Sequence, residues 1–297
     1  MQEKSRARSI LSGIDTGRSR LFFADHECFM LLASVFGVVM GLVLGLTGAG
    51  GGILAVPALV LGLGWSMTQA APVALFAVGS AAAVGAIDGL RHGLVRYRAA
   101  LLIALLGAIF SPLGIYFAHQ LPEKILMLLF SLLMVMVAVR MLRRERQDAG
   151  PSDHGHANWG QKNCMLDQQT GRFSWTAKCT ATLAALGAVT GVVSGLLGVG
   201  GGFLIVPAFK QLTDVQMRGI VATSLMVISL ISLIGVIGAF HAGVRIDRQG
   251  VAFIVASILG MLLGRRLCAH VPARALQVGF ASVCVVVALY MLVKAQA

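Results

Sequence analysis

The chain reads as an all-α polytopic membrane protein of about eight transmembrane helices, in two homologous four-span repeats that each contain a short helix broken by glycine. Three observations predict this. Of 297 residues, 57% are hydrophobic and 12% charged, and the mean hydropathy is +0.85, well beyond the usual composition of soluble domains. The apolar residues fall in long blocks that carry almost no charge. One glycine-rich phrase, GLVLGLTGAGGGILAVP at 41–57, returns as GVVSGLLGVGGGFLIVP at 191–207.

The elements follow in order. Residues 1–27 are polar, with no apolar run ahead of a small-residue cleavage site, so they are expected to be a cytoplasmic tail and not a signal peptide. Spans are expected at 28–46, 70–90, 99–118 and 125–142, each close to the 20 or so apolar residues a bilayer requires. Residues 143–177 are polar and rich in turn formers, and read as a cytoplasmic linker. A second membrane repeat, 178–297, then supplies spans at 179–197, 219–240, 249–268 and 275–293. Between the first and second span of each repeat lies an apolar stretch, 53–64 or 203–212, too short at about 1.5 Å per residue to cross a core about 30 Å thick. Each is expected to be a half-helix, a re-entrant segment or an extension of a broken span.

The repeat has a fixed register. Gly41 and Gly191, Gly45 and Gly195, Gly48 and Gly198, Pro57 and Pro207, Gly85 and Gly235, Gly114 and Gly264, and Pro122 and Pro272 all stand 150 positions apart. With four spans in each copy, both copies enter the membrane in the same direction, as parallel repeats about an axis near the membrane normal. An inverted pair follows instead if the short segments cross.

The formal charge of +12 does not indicate a nucleic-acid partner, because the basic residues lie beside membrane spans and not on a basic face with interleaved aromatics. Their distribution fits orientation. With the N-terminus inside, most of the 24 Lys and Arg are cytoplasmic: Lys4, Arg6, Arg8, Arg18, Arg20, Arg91, Arg96, Arg98, the group from Arg140 to Lys178, Arg245, Arg248 and Lys294. Both termini are therefore expected in the cytoplasm. Cys28, Cys164, Cys179, Cys268 and Cys284 show no CxxC spacing, and are read as small buried hydrophobes in preference to disulfides or metal ligands. His154 and His156 in the linker lack a third ligand at a defined spacing and read as solvated. No metal or other cofactor is called for.

The glycine runs carry the chemistry. Three consecutive glycines break a membrane helix, and the freed N–H and C=O groups cost several kcal/mol each against lipid, so the break must face protein or a water-filled cavity. Without a β-carbon, the backbone amides can approach a ligand directly. The segment after each break begins a short helix whose first N–H groups point at the gap with a partial positive charge. Two such ends meeting near the midplane make an anion site without a buried cation. Gly41, Gly45, Gly191 and Gly195 read instead as small-residue helix contacts. No strand precedes the run and no Lys-Ser/Thr follows it, which excludes a nucleotide loop. Pro57 and Pro207 limit or kink the short helices.

Few other polar residues lie in the spans. Thr223 and Ser224, in VATSLMVIS, can offer hydroxyls to an anion, and their repeat mates are Val73 and Ala74. Asp88 is the single acid in an expected span and reads as a surface partner of nearby Arg91. His92, His241 and His270 stand at span ends. Arg265 and Arg266 either snorkel or draw anions to an outer vestibule.

The doubled G-x3-G-x2-G-x-GGG-x4-P phrase, the VATSL stretch, the eight-span count and the polar linker resemble the sulfite exporter TauE/SafE family of membrane transporters, over nearly all of 28–293. That resemblance implies movement of small sulfur-containing or organic anions, such as sulfite, sulfoacetate or related carboxylates, across the bacterial inner membrane. Family members commonly carry a Thr-Ser pair in both copies; here only Thr223 and Ser224 remain, so the second copy is expected to contribute more to a site.

The function expected from all this is a secondary transporter or facilitator that exports a small anion. Its site comprises Thr47, Gly50, Gly51, Gly52, Gly200, Gly201, Gly202, Thr223 and Ser224, with lipid as the surrounding partner. The alternatives are a non-transporting sensor or assembly subunit, which would call for a folded soluble module, and an intramembrane enzyme, which would need a His and acid cluster inside the spans. No residue is assigned to a coupling ion, and the oligomeric state, a homo-oligomer included, stays open.

Overall fold

The computed structural model describes residues 29–48, 51–148, 176–213, 217–241, 243, 246–267 and 273–296. Ten helices fill these segments. They are α1 (Phe29–Thr47), α2 (Gly51–Gly62), α3 (Met67–Arg91), α4 (Tyr97–Gln120), α5 (Glu123–Asp148), α6 (Ala177–Leu197), α7 (Gly202–Leu212), α8 (Met217–His241), α9 (Arg248–Leu267) and α10 (Ala273–Gln296). All eight expected spans fall on helices, and α1, α3, α4, α6, α8 and α9 are long and apolar enough to cross a membrane. Helix α5 runs to Asp148, into the expected linker, of which residues 149–175, with His154 and His156, lie outside the described residues, as does Gly50.

Local sequence explains where the helices begin and stop. Ser66 caps α3, its hydroxyl accepting the Gln69 N–H, and Gly93 makes the turn into α4 with φ +65°. Glu123, in the first turn of α5, accepts the Met67 N–H at 2.9 Å and so ties the start of α5 to the start of α3. Gly48 and Gly198 end α1 and α6 in the same way: each lies at positive φ (+75° and +69°) and donates its N–H to the carbonyl four residues back, Leu44 or Ser194.

Helices α3 and α8 are the most buried of the six long apolar helices, with 61% of each apolar window inside the protein, and they form the centre. They run antiparallel. A β-carbon at Gly79 would fall 2.5 Å from Ser232 Cβ, one at Gly85 2.7 Å from Leu225, and one at Gly89 2.8 Å from Ala222, while Gly235 abuts Leu75. The pairs Leu75–Gly235 and Gly85–Leu225 exchange under the 150-residue offset, the signature of a two-fold axis perpendicular to the helices. On either side, α1 runs parallel to α9 and α6 runs parallel to α4. Gly37 faces Phe253 O (2.6 Å from a built β-carbon) and Gly45 faces Met261 O (2.6 Å); Gly187 faces Ile103 O (2.7 Å) and Gly114 faces Leu196 N (2.7 Å). Small residues here let backbones touch across the two halves, as Gly41 does against Ser257 and Gly191 against Gly107.

These directions correct the expectation of parallel four-span repeats. Helix α2 runs back along α1, with Gly51 against Leu44 and Gly62 against Phe36, and delivers the chain to the start of α3. The short helix therefore reverses direction like a full span. Each copy has an odd number of alternating helices, five, and equivalent helices point in opposite senses. A window of 20 residues misses this, because it rejects a helix of 12 residues that starts within the depth of its neighbour.

The start of α1 lies level with the starts of α3 and α9, whereas α5 ends and α6 begins at the opposite face, where α3 ends. The end of α5 and the start of α6 therefore lie at the face opposite the start of α1, and of the basic residues expected inside, Arg91, Arg96 and Arg98 stand at the one face and Arg248 at the other. Tags placed before α1 and within 149–175 should show opposite protease accessibility in sealed vesicles of one orientation. Equal accessibility would contradict the antiparallel α3–α8 pair.

The outer helices present Leu101, Leu105, Ile109, Leu132, Val255, Leu259 and Leu289, all more than half exposed, as a surface suited to lipid. One cysteine expectation is also corrected. Cys179 in α6 is disulfide-bonded, while Cys284 is free and buried.

Candidate functional site

The two glycine breaks meet at the centre. A β-carbon at Gly52 would stand 2.9 Å from Val199 O and 3.2 Å from Val78, and one at Gly200 would stand 3.3 Å from Val78 and 3.1 Å from Ile228. Val78 and Ile228 are offset mates on α3 and α8, so both breaks lie close to the two-fold axis. The half-helices α2 and α7 touch there as well.

Gly200 and Gly201 need their missing side chains on two counts. Their φ angles are +72° and +65°, a region that costs an L-residue about 1–2 kcal/mol. Gly201 is also the N-cap of α7 and abuts Thr190. No side chain caps α7, which leaves its N-terminal amides to whatever occupies the break. Gly51 and Gly52 start α2, fully buried. Pro57 and Pro207 lie inside the short helices, where each withholds one N–H and loosens the turn before it.

The structure brings Gly52 and Gly200 together on Val78 and ties each expected hydroxyl to a backbone carbonyl. The Thr47 hydroxyl donates to Val43 O at 2.8 Å, and the Ser224 hydroxyl to Val221 O at 2.8 Å. Thr223 Oγ1 donates to Gly219 O at 2.6 Å and accepts the Arg96 N–H at 3.1 Å, so it pins the α3–α4 turn against α8. Val221, one turn from Ser224, packs against Gly48. The Thr-Ser pair thus lies in the first two turns of α8, close to the end of α1.

Two features were missed in the sequence. Asp88 pairs with Arg265 of the other half and not with Arg91, and Arg265 Nη1 also donates to Gly85 O at 2.6 Å. The signal available was that each is a charged residue inside an apolar block, but their pairing depends on the antiparallel arrangement. Ser194 and Ser232 are likewise buried beside the second break. They were legible only as hydroxyls within spans.

The model of the family described as "Sulfite exporter TauE/SafE" matches residues 33–291. A "Probable membrane transporter protein" of Xylella fastidiosa (strain 9a5c) is 30% identical over 259 residues, covering 86% of this chain and 92% of its own length. A protein of the same description from Xylella fastidiosa (strain Temecula1 / ATCC 700964) is 31% identical over 265 residues with the same coverage. The "Probable membrane transporter protein YunE" of Bacillus subtilis (strain 168) is 25% identical over 222 residues, 72% of this chain and 79% of its own. No solved structure matches significantly. A multi-pass membrane protein with two central helix breaks, matched by the family model over most of its length, belongs to the sulfite exporter TauE/SafE family.

Proposed function

We propose that the chain is a secondary transporter or facilitator that moves a small sulfur-containing or organic anion, such as sulfite or a sulfonate, outward across the cytoplasmic membrane. The observation that carries this reading is the meeting of two helix breaks at the centre, one from each half, with Gly52 against Val199 and Gly200 against Val78. Broken helices whose N-termini converge offer amide donors and positive dipole ends to an anion, and release it more readily than a buried cation would. The anion would be held by the amides of Gly50–Gly52 and Gly200–Gly202, with Thr47, Thr223 and Ser224 shaping the breaks through their backbone bonds.

In this reading 28–142 and 178–297 are two halves that rock against each other about the central site, and the closely packed breaks belong to an occluded state. The termini are cytoplasmic and the linker face is external. A disulfide at Cys179, near the start of α6, suits such an external, oxidising face. The protein acts without catalysing a chemical step. Reconstitution into liposomes with radiolabelled sulfite and alkylsulfonates tests the proposal: saturable flux supports it, and its absence for every candidate sinks it.

A further inference from the structure

Hydroxyls within helices ordinarily return to a carbonyl one turn back, and several buried ones in this protein do so. Thr190 donates to Leu186 O at 2.6 Å, Ser257 to Phe253 O at 2.6 Å and Ser224 to Val221 O at 2.8 Å. Ser194 and Ser232 depart from this habit. Both are buried, at 1% and 0% exposure, and among the described residues theirs are the two fully inaccessible hydroxyl oxygens with no hydrogen-bond partner. Both belong to the second break. Ser194 sits in the last turn of α6, where its carbonyl accepts the Gly198 N–H at 2.8 Å. Ser232 Oγ lies 3.2 Å from the β-carbon position of Gly200, and Gly79 and Gly200 leave backbone with no side chain on either side of it.

The geometry points to Ser232 and Ser194 as donors that bind the oxygen atoms of a small, singly charged oxyanion at the N-terminal break of α7. An unpaired buried hydroxyl costs free energy, which a bound acceptor removes. The offset mates of these residues are Leu44 and Ala82, so the first break offers close packing where the second offers hydroxyls. Between Lys178 and the break, and along α8 between Arg218 and His241, the sequence holds no charged residue. On α6 and α8, therefore, only dipoles face the ion, and because the cost of burying charge grows with its square, a dianion is opposed about four times as strongly as a monoanion.

This inference rests on the transporter reading, and the same liposome assay separates the two. With a radiolabelled alkylsulfonate as the singly charged probe and sulfate as the doubly charged one, the wild-type protein should carry the first saturably and the second at least about tenfold more slowly. Ser232→Ala should raise the KM for the alkylsulfonate about tenfold with the maximal rate within about twofold, Ser194→Ala somewhat less, and neither should lower the thermal midpoint. Alanine already stands at the offset mate of Ser232. An unchanged KM in both variants, with wild-type flux intact, overturns the assignment of the serines and leaves the transporter reading standing. A lowered midpoint with unchanged KM gives them a structural role and overturns it too. Equal flux of sulfate overturns the charge class, and absence of wild-type flux overturns the transporter reading together with this one.

Discussion

Replacing Gly201 with Val should abolish transport, and Gly51→Val should come close to it. At Gly201 the backbone has φ +65°, which a β-branched residue enters only with strain of about 1–3 kcal/mol, and the new side chain would be driven into Thr190. The N-cap of α7 would move, and with it the amides that the anion site depends on. Losing two charge-assisted bonds at about 1.5 kcal/mol each corresponds to at least a 100-fold fall in transport efficiency. At Gly51 the helix geometry is ordinary but a β-carbon would fall 2.6 Å from Leu44 Cα, so α2 must shift away from α1. Gly238→Ala is the control, since nothing lies within 4 Å of that position and alanine gains about 0.5–1 kcal/mol over glycine inside a helix. Flux and thermal midpoint measured together decide the matter. Full flux in both valine variants at normal protein levels would reduce the glycines to packing devices.

The helices were legible in the sequence because their signal is local. Twenty apolar residues in a row need a helix whatever their neighbours do, and the repeated phrase located both breaks before any geometry was known. Direction was not legible. Whether Gly51–Gly62 returns the chain or dips and withdraws depends on where it starts in depth, and that is set by Gly51 meeting Leu44 and Gly62 meeting Phe36. Once the short helix counts as a reversal, every later helix inverts, and the charge asymmetry that had oriented the chain dissolves. The site shows the same division. Glycines announce backbone requirements and were found; hydroxyls announce nothing until their rotamers are known. Thr223 reads as a ligand in the sequence, and its hydroxyl also holds the Arg96 turn, while Ser194 and Ser232, two serines among several in apolar runs, are left without a partner.

The inverted arrangement gives the two faces different fastenings, and this yields the second large effect. At the face where α3 ends, Asp88 pairs with Arg265 of the other half, and Arg265 also reaches Gly85 O near the negative end of the α3 dipole. The offset mates of these residues are Gly238 and Ile115, so the opposite face has no equivalent pair. There Phe76 of α3 and Phe240 of α8 meet edge to face at 6.4 Å. Opening toward the linker face must therefore separate charges, and opening toward the termini must pull these aromatic rings apart. Because Asp88 and Arg265 keep 44% and 30% side-chain exposure, solvent and salt screen the pair and its static contribution is small. Reversing one charge is another matter: Asp88→Arg sets two guanidinium groups together beside Arg91 and should cut flux at least about tenfold. The exchange Asp88→Arg with Arg265→Asp should recover most of that loss but not all, since an aspartate at 265 faces the Gly85 carbonyl that the arginine had satisfied. Wild-type flux should also change between about 0.1 M and 1 M salt, as the screening length falls from about 10 Å to about 3 Å, and Asp88→Asn should remove that dependence. A single reversal without effect, or an exchange no better than either single variant, would show that the pair decorates the surface and that closing of this face rests on the packing of Gly85 and Gly89 against α8.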